Sequence, residues 1–289
     1  KESGHADSRA ALRLLLEVPD YRFAASRVLE PLYRAEDSLS ALVEVLELQL
    51  LDTVDDDRRL ALLDDVCDIH EAGLDDAPAA FGAVRRAYLI DPGAQARIGR
   101  MDRLAAQTGQ WAELVQTYEE ALPALVEGGA ILATHLKVAR IYRDELTDVA
   151  SAEASFRNAL DQDPDCLEAL IALENVLEDQ ARWDDLLEIL EQIYSVRARS
   201  EDGEAAKAAL FKIGRIRDEV LSDAGGAIAT LMRVLDLEPA NAEAIHALKD
   251  LYRREERWVD LTGLLDREIG YAVENPQVVT LRTELAEVH

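Results

Sequence analysis

No stretch of this chain approaches the roughly 18 uninterrupted apolar residues that a membrane-crossing helix requires, so a transmembrane helix is excluded. Cysteine is scarce. Cys67 and Cys166 lie far apart and offer neither a disulfide framework nor a zinc-binding thiolate set. Aromatic residues make up 5% of the 289 positions against 49% hydrophobic overall, a ratio suited to many small contacts among Leu, Ala and Val. Positive charge is short as well: 31 basic residues face 58 acidic ones, for a net charge of −27. Nucleic acid and anionic membrane are therefore not expected partners, because both need cations beside phosphate. The negative charge reads first as a solvated outer surface, and alternatively as an acidic face that recruits a basic partner.

The motifs of catalysis and cofactor binding are missing too. There is no phosphate-cradling G-x-x-x-x-G-K-[ST], no dinucleotide fingerprint and no G-x-S-x-G elbow, and Gly225-Gly226 reads as a turn into a helix. The histidines His5, His70, His135, His246 and His289 form no H-E-x-x-H and pair with no cysteine at ligand spacing. Adjacent acids such as Asp55-Asp56-Asp57, Asp75-Asp76 and Asp184-Asp185 fit helix starts, where aspartate caps free backbone N–H groups and meets the positive end of the dipole. We expect no catalytic residue, no metal and no cofactor. The alternating pattern of a strand is found nowhere.

What is present is repetition. Leu39, Trp111, Trp183 and Trp258 each open a run with apolar residues three and seven positions on, and they stand 72, 72 and 75 residues apart. Val66, Val138, Ile213 and Leu285 keep spacings of 72, 75 and 72, and Pro19, Pro92, Pro164 and Pro239 keep 73, 72 and 75. Within a module the apolar residues recur at three and four, the spacing of one helix face. Ala152, Phe156, Ala159 and Leu160 form one such stripe, and Trp183, Leu186, Leu187 and Leu190 another. Asp163-Pro164 breaks the helix between two stripes. A unit that cannot bury its apolar faces alone must stack on its neighbours, so this period predicts a solenoid of helices. Cys67 aligns with Ala139 and Gly214 and is expected to be a small core residue. Trp111, Trp183 and Trp258 are expected to be packing wedges, with Trp183 largely buried. Pro31 is expected to kink or split its helix.

Val138-Ala139-x-x-Tyr142, followed by Ala152, Phe156, Ala159 and Pro164, resembles the L-G-x-x-Y … A … F … A … P pattern of tetratricopeptide repeats. Ile213-Gly214, Ala227, Leu231, Val234 and Pro239 resemble it more loosely. The loop before Ala152 is one residue longer than the family pattern. The resemblance implies an all-α, right-handed superhelical solenoid of divergent tetratricopeptide-like helix pairs, about sixteen helices in all, two pairs to a module. The expected division is a partial module 1–54, modules over about 55–127, 128–202 and 203–271, and the start of another over 272–289. That last stretch repeats a module's opening helix, with Leu285, Val288 and His289 aligned to Val138, Ile141 and Tyr142. The expectation is a segment of a longer protein, or a final helix covered by another copy of the chain. A secretory leader before the first helix is not expected, and a cytoplasmic location is expected.

In this family the first helix of each pair lines a concave groove. The row expected to face it reads Pro31, Asp68, Arg103, Arg140, Asn175, Arg215, Asp250 and Glu287, with Arg143 one turn beyond Arg140. Arg103, Arg140, Arg143, Asn175 and Arg215 are thus the candidate contact residues, and arginine forks suit a protein or peptide partner with an acidic segment. The expected function is a non-catalytic interaction scaffold or recognition domain. The alternatives are a regulatory arm controlling an effector domain elsewhere in a longer chain, and an enzyme with a groove active site, for which no residue pattern speaks.

Overall fold

A computed structural model describes residues 2–271 and 275–288. Among them every regular element is helical, and no strand occurs. The helices fall into two compact units, Lys1–Ser155 and Phe156–His289. The first unit contains α1 (Glu2–Leu15), α2 (Pro19–Ala35), α3 (Leu39–Asp52), α4 (Asp56–Asp68), α5 (Ala77–Ile90), α6 (Gln95–Thr108), α7 (Trp111–Ala121) and α8 (Gly128–Asp144). The boundary falls inside α9 (Val149–Gln162). The second unit continues with α10 (Leu167–Asp179), α11 (Trp183–Arg199), α12 (Gly203–Arg215), α13 (Ala224–Leu237), α14 (Ala242–Arg254), α15 (Trp258–Tyr271) and α16 (Asn275–Val288). Within each unit the main packing is between helices consecutive in the chain, and the short connections fold each helix back on the last. The anchor positions Leu285, Val288 and His289 carry side chains outside the described residues.

Aspartate starts many of these helices. Asp55, Asp76, Asp202 and Asp223 each accept a hydrogen bond from the backbone N–H three residues on, and Asn241 does the same for α14. The turns inside the pairs repeat as faithfully as the sequence anchors. The left-handed residues Asp37, Gly109, Ala181 and Glu256 stand 72, 72 and 75 apart. After each, an N–H returns to the carbonyl five residues back: Ser38 to Tyr33, Gln110 to Ala105, Arg182 to Leu177 and Arg257 to Tyr252. This closes the helix end as a Schellman cap. The alternate pairs use a wider turn. Asp75, Thr147 and Ser222 are left-handed, and the N–H groups of Asp76, Asp148 and Asp223 reach six residues back, to His70, Tyr142 and Arg217. The extra residue noticed before Ala152 is therefore taken up at the helix end. In two of the three cases it forms a π-helical turn, Ile69–Gly73 and Ile216–Val220.

These turns carry a testable strain. Gly109 has φ +71 with open space where a Cβ would stand, whereas Thr147 is β-branched at φ 52. Left-handed backbone costs an L-residue roughly 1–2 kcal/mol relative to glycine. We expect Gly109→Ala to lower, and Thr147→Gly to raise, the denaturation free energy by about 1 kcal/mol each, read from urea midpoints.

The unit 1 core includes the fully buried Leu29, Leu46, Leu62, Phe81, Tyr88, Met101, Leu104 and Tyr118. In unit 2, Leu170, Leu173, Leu210, Ile213, Val234 and Leu248 are buried on facing helices. Cys67 is 1% exposed, its thiol donates to the Ala80 carbonyl at 3.2 Å, and burial pushes its pKa up to about 11, so it is a core residue. Ala139 and Gly214, its counterparts, are buried as well. Two expectations need correction. Pro31 does not split α2, which runs through it; the carbonyl that lacks its usual donor from position 31 belongs to Arg27, an exposed residue. The tryptophans do open α7, α11 and α15, but Trp111 and Trp183 are only half-buried and Trp258 is 47% exposed. At the first helical position only part of the indole reaches the neighbouring helix.

Candidate functional site

The first helices of successive pairs are tied together by ion pairs about one pair-length apart in sequence. In unit 1, Arg97 and Arg100 of α6 hold Asp64 and Asp68 of α4 at 3.0 and 2.7 Å, and Lys137 of α8 holds Asp102 of α6 at 2.6 Å. In unit 2, Lys212 of α12 sits between Glu174 and Glu178 of α10 at 2.7 and 2.6 Å. Arg254 of α14 pairs with Asp218 in the turn after α12, and Lys249 reaches Glu284 of α16 at 3.2 Å. Such half-exposed pairs contribute about 0–1 kcal/mol apiece to stability. Their larger consequence is that most of the cationic charge along these helices is already spent.

This decides where the candidate residues stand. Arg103 donates to Glu71 at 2.5 Å. Burial tends to raise the Glu71 pKa, but the bonds from Arg103 and Arg100 outweigh it and hold the carboxyl below its ordinary range. Arg143 donates twice to Asp144, at 2.7 and 3.0 Å, and this bond is the main cause of the lowered Asp144 pKa. Arg140, on the same helix, is also engaged, and its charge acts on Asp144. Asn175 of α10 is exposed and donates to the Ile171 carbonyl of its own helix at 3.0 Å. Arg215 alone of the five has no ion pair or hydrogen bond among the described residues. The first three belong to unit 1, and Asn175 and Arg215 to unit 2, on helices joined by Lys212.

Arg215 lines a cleft of about 730 Å³ between α12 and α14. Its floor is Leu231 of α13 and Leu251, both buried. Phe211, Gly214 and the small side chains Ala208 and Ala247 leave the space open above them. The α13 start is fixed by Asp223, and Arg217 donates to the Thr230 hydroxyl at 2.9 Å, so the floor helix is held to the turn after α12. Glu219 and Glu243 are exposed at the cleft and make no ion pair among the described residues, and Asp250 lies within 3.3 Å of Arg253. Reading one residue per helix missed these acids. Glu219 stands four residues after Arg215, so a scan one turn to either side of the groove row would have found it.

Among the described residues no group of His, Cys, Asp and Glu is placed to hold a metal ion, and no helix is long and apolar enough to cross a membrane. Unit 1 has further hollows of about 670 Å³ beside Leu51 and Arg86 and about 550 Å³ over Tyr88 and Tyr118. In the first, both arginines are paired, Arg86 with Glu47 and Arg59 with Asp56. In the second, Lys137 is neutralised by Asp102.

Residues 169–204, spanning α10 and α11, match a family model described as tetratricopeptide repeat, which supports the resemblance to a divergent array of such repeats. No curated protein matches the chain. Among solved structures, the C-terminal part of a TPR repeat-containing protein from Cytophaga hutchinsonii is 16% identical, covering 86% of this chain and 96% of its own, at a TM-score of 0.39. PilF from Pseudomonas aeruginosa is 18% identical, with 72% and 85% covered and a TM-score of 0.32. YrrB, described as a TPR protein with an unusual peptide-binding site, is 17% identical, with 65% and 91% covered and a TM-score of 0.34. These likenesses are low, and nothing about function follows from them.

Proposed function

We propose that the chain is a non-catalytic interaction array that receives a segment of a partner protein in the cleft between α12 and α14. The observation that carries this is the cleft itself: an apolar floor, small walls that leave room for a side chain, and charges at its edge, Arg215, Glu219 and Glu243, that make no ion pair among the described residues. Concave sites of this size, apolar with a few convergent polar groups, are where proteins take ligands. Arg215, which lines the cleft, remains a contact residue in this reading; Asn175 stands on α10 and does not line it. Arg103, Arg140 and Arg143 are weaker candidates, because Glu71 and Asp144 would have to be displaced before a partner's carboxylates could bind.

Filling the cleft tests the reading. Ala208→Gln with Ala247→Gln keeps helix-favouring residues while occupying the space. Partners captured from a lysate of the native cell by the wild-type chain are compared with those captured by the double variant, with helicity checked by circular dichroism. The expected result is unchanged helicity and loss of the specific partner. Equal capture by both proteins would overturn the proposal.

A further inference from the structure

We infer that the segment this cleft receives is basic and apolar: a lysine or arginine placed beside a large apolar side chain. The inference rests on the reading of the α12–α14 cleft as the binding site. It follows from which charges at the cleft are already balanced. Lys212 is cationic but serves two carboxylates, Glu174 and Glu178. Arg254 is bound to Asp218 and lies 3.3 Å from Glu255. Neither has charge to offer a ligand. What remains is Arg215 against Glu219 and Glu243, neither of which has an ion pair among the described residues. The balance at the cleft is therefore negative, in a chain of net charge −27 whose field adds to it. The sequence alone pointed this row toward an acidic partner, because it showed the arginines without their internal carboxylates.

Position sets the order of contacts. Glu243 opens α14, at the end of the cleft where Ala208 stands on α12, and Glu219 follows α12 at the far end. Phe211, Leu231 and Leu251 lie between them. An apolar side chain entering over Leu231, with a cation a few ångströms along the segment, meets both requirements. A carboxylate in the same place gains Arg215 but faces the two glutamates.

A library of random peptides, displayed and selected on the full chain and counter-selected on the Ala208→Gln/Ala247→Gln variant, separates the possibilities. The expected winners carry Lys or Arg near a large apolar residue. Their affinity should drop about tenfold on Glu219→Gln/Glu243→Gln and fall with added salt, and rise on Arg215→Gln, which removes the one lining cation that repels the segment. Winners that are acidic and lose binding on Arg215→Gln, or apolar winners indifferent to both charge variants, would overturn the inference and leave the cleft as the site. Failure to select any peptide that distinguishes the wild type from the filled cleft would overturn the reading of the cleft itself.

Discussion

Phe156→Ala will cost about 3–5 kcal/mol of stability, the range for emptying a buried aromatic site. Phe156 is 0% exposed. Its ring fills a position from which water is excluded, so truncation loses both transfer energy and packing. Trp183→Ala, although it deletes a larger side chain, will cost less, about 1–2 kcal/mol, because Trp183 is only half-buried at the first position of α11. In a linear array the loss is partly local, so the melt should broaden as well as shift. Chemical denaturation of both variants against the wild type checks the order. A Trp183 variant less stable than the Phe156 variant would show that the tryptophans hold the pairs together after all.

Asp102→Ala will cost about 2–3 kcal/mol, more than most surface changes, because it strands two partners at once. Asp102 accepts from the buried Tyr118 hydroxyl and from Lys137. Lys137 also lies 5.1 Å over the Tyr118 ring, and Tyr88 packs edge-on against that ring at 5.5 Å between centroids. Burial first, and then the Asp102 carboxylate, push the Tyr118 hydroxyl far above the ordinary tyrosine range, and burial raises Tyr88 to about 12. These contacts tie α6, α7 and α8 together. Asp102→Asn keeps an acceptor and should cost about half as much, since the charge-assisted part of the bond is lost. Equal losses for the two variants would mean that the hydrogen bond contributes nothing beyond charge.

Much of the fold could be read from the sequence because repetition converts weak local signals into a strong one. A single W-x-x-L-x-x-x-L run means little. Four such runs at fixed spacing specify a helix start, and α3, α7, α11 and α15 begin at those residues. Asp76 as a cap and Cys67 as a core residue were legible from type and register alone. Burial of the tryptophans was not, because register fixes where a helix begins but not how far its first residue reaches toward a neighbour. The continuity of α2 through Pro31 was hidden for a related reason: whether a missing N–H breaks a helix depends on whether water can reach the freed carbonyl. The site was less legible still. The row of arginines was visible, but Glu71, Glu174 and Asp218, which settle which cations are available, are neighbours only across helices roughly a pair-length apart in sequence.

Hydrogen–deuterium exchange on the full chain, with and without a peptide selected on the wild-type protein, tests the central claim most directly. The account predicts added protection in α12, the turn Ile216–Val220 and α14, where local opening should be suppressed by the bound segment. Protection confined to helices away from that cleft, with α12 and α14 exchanging as before, would contradict it.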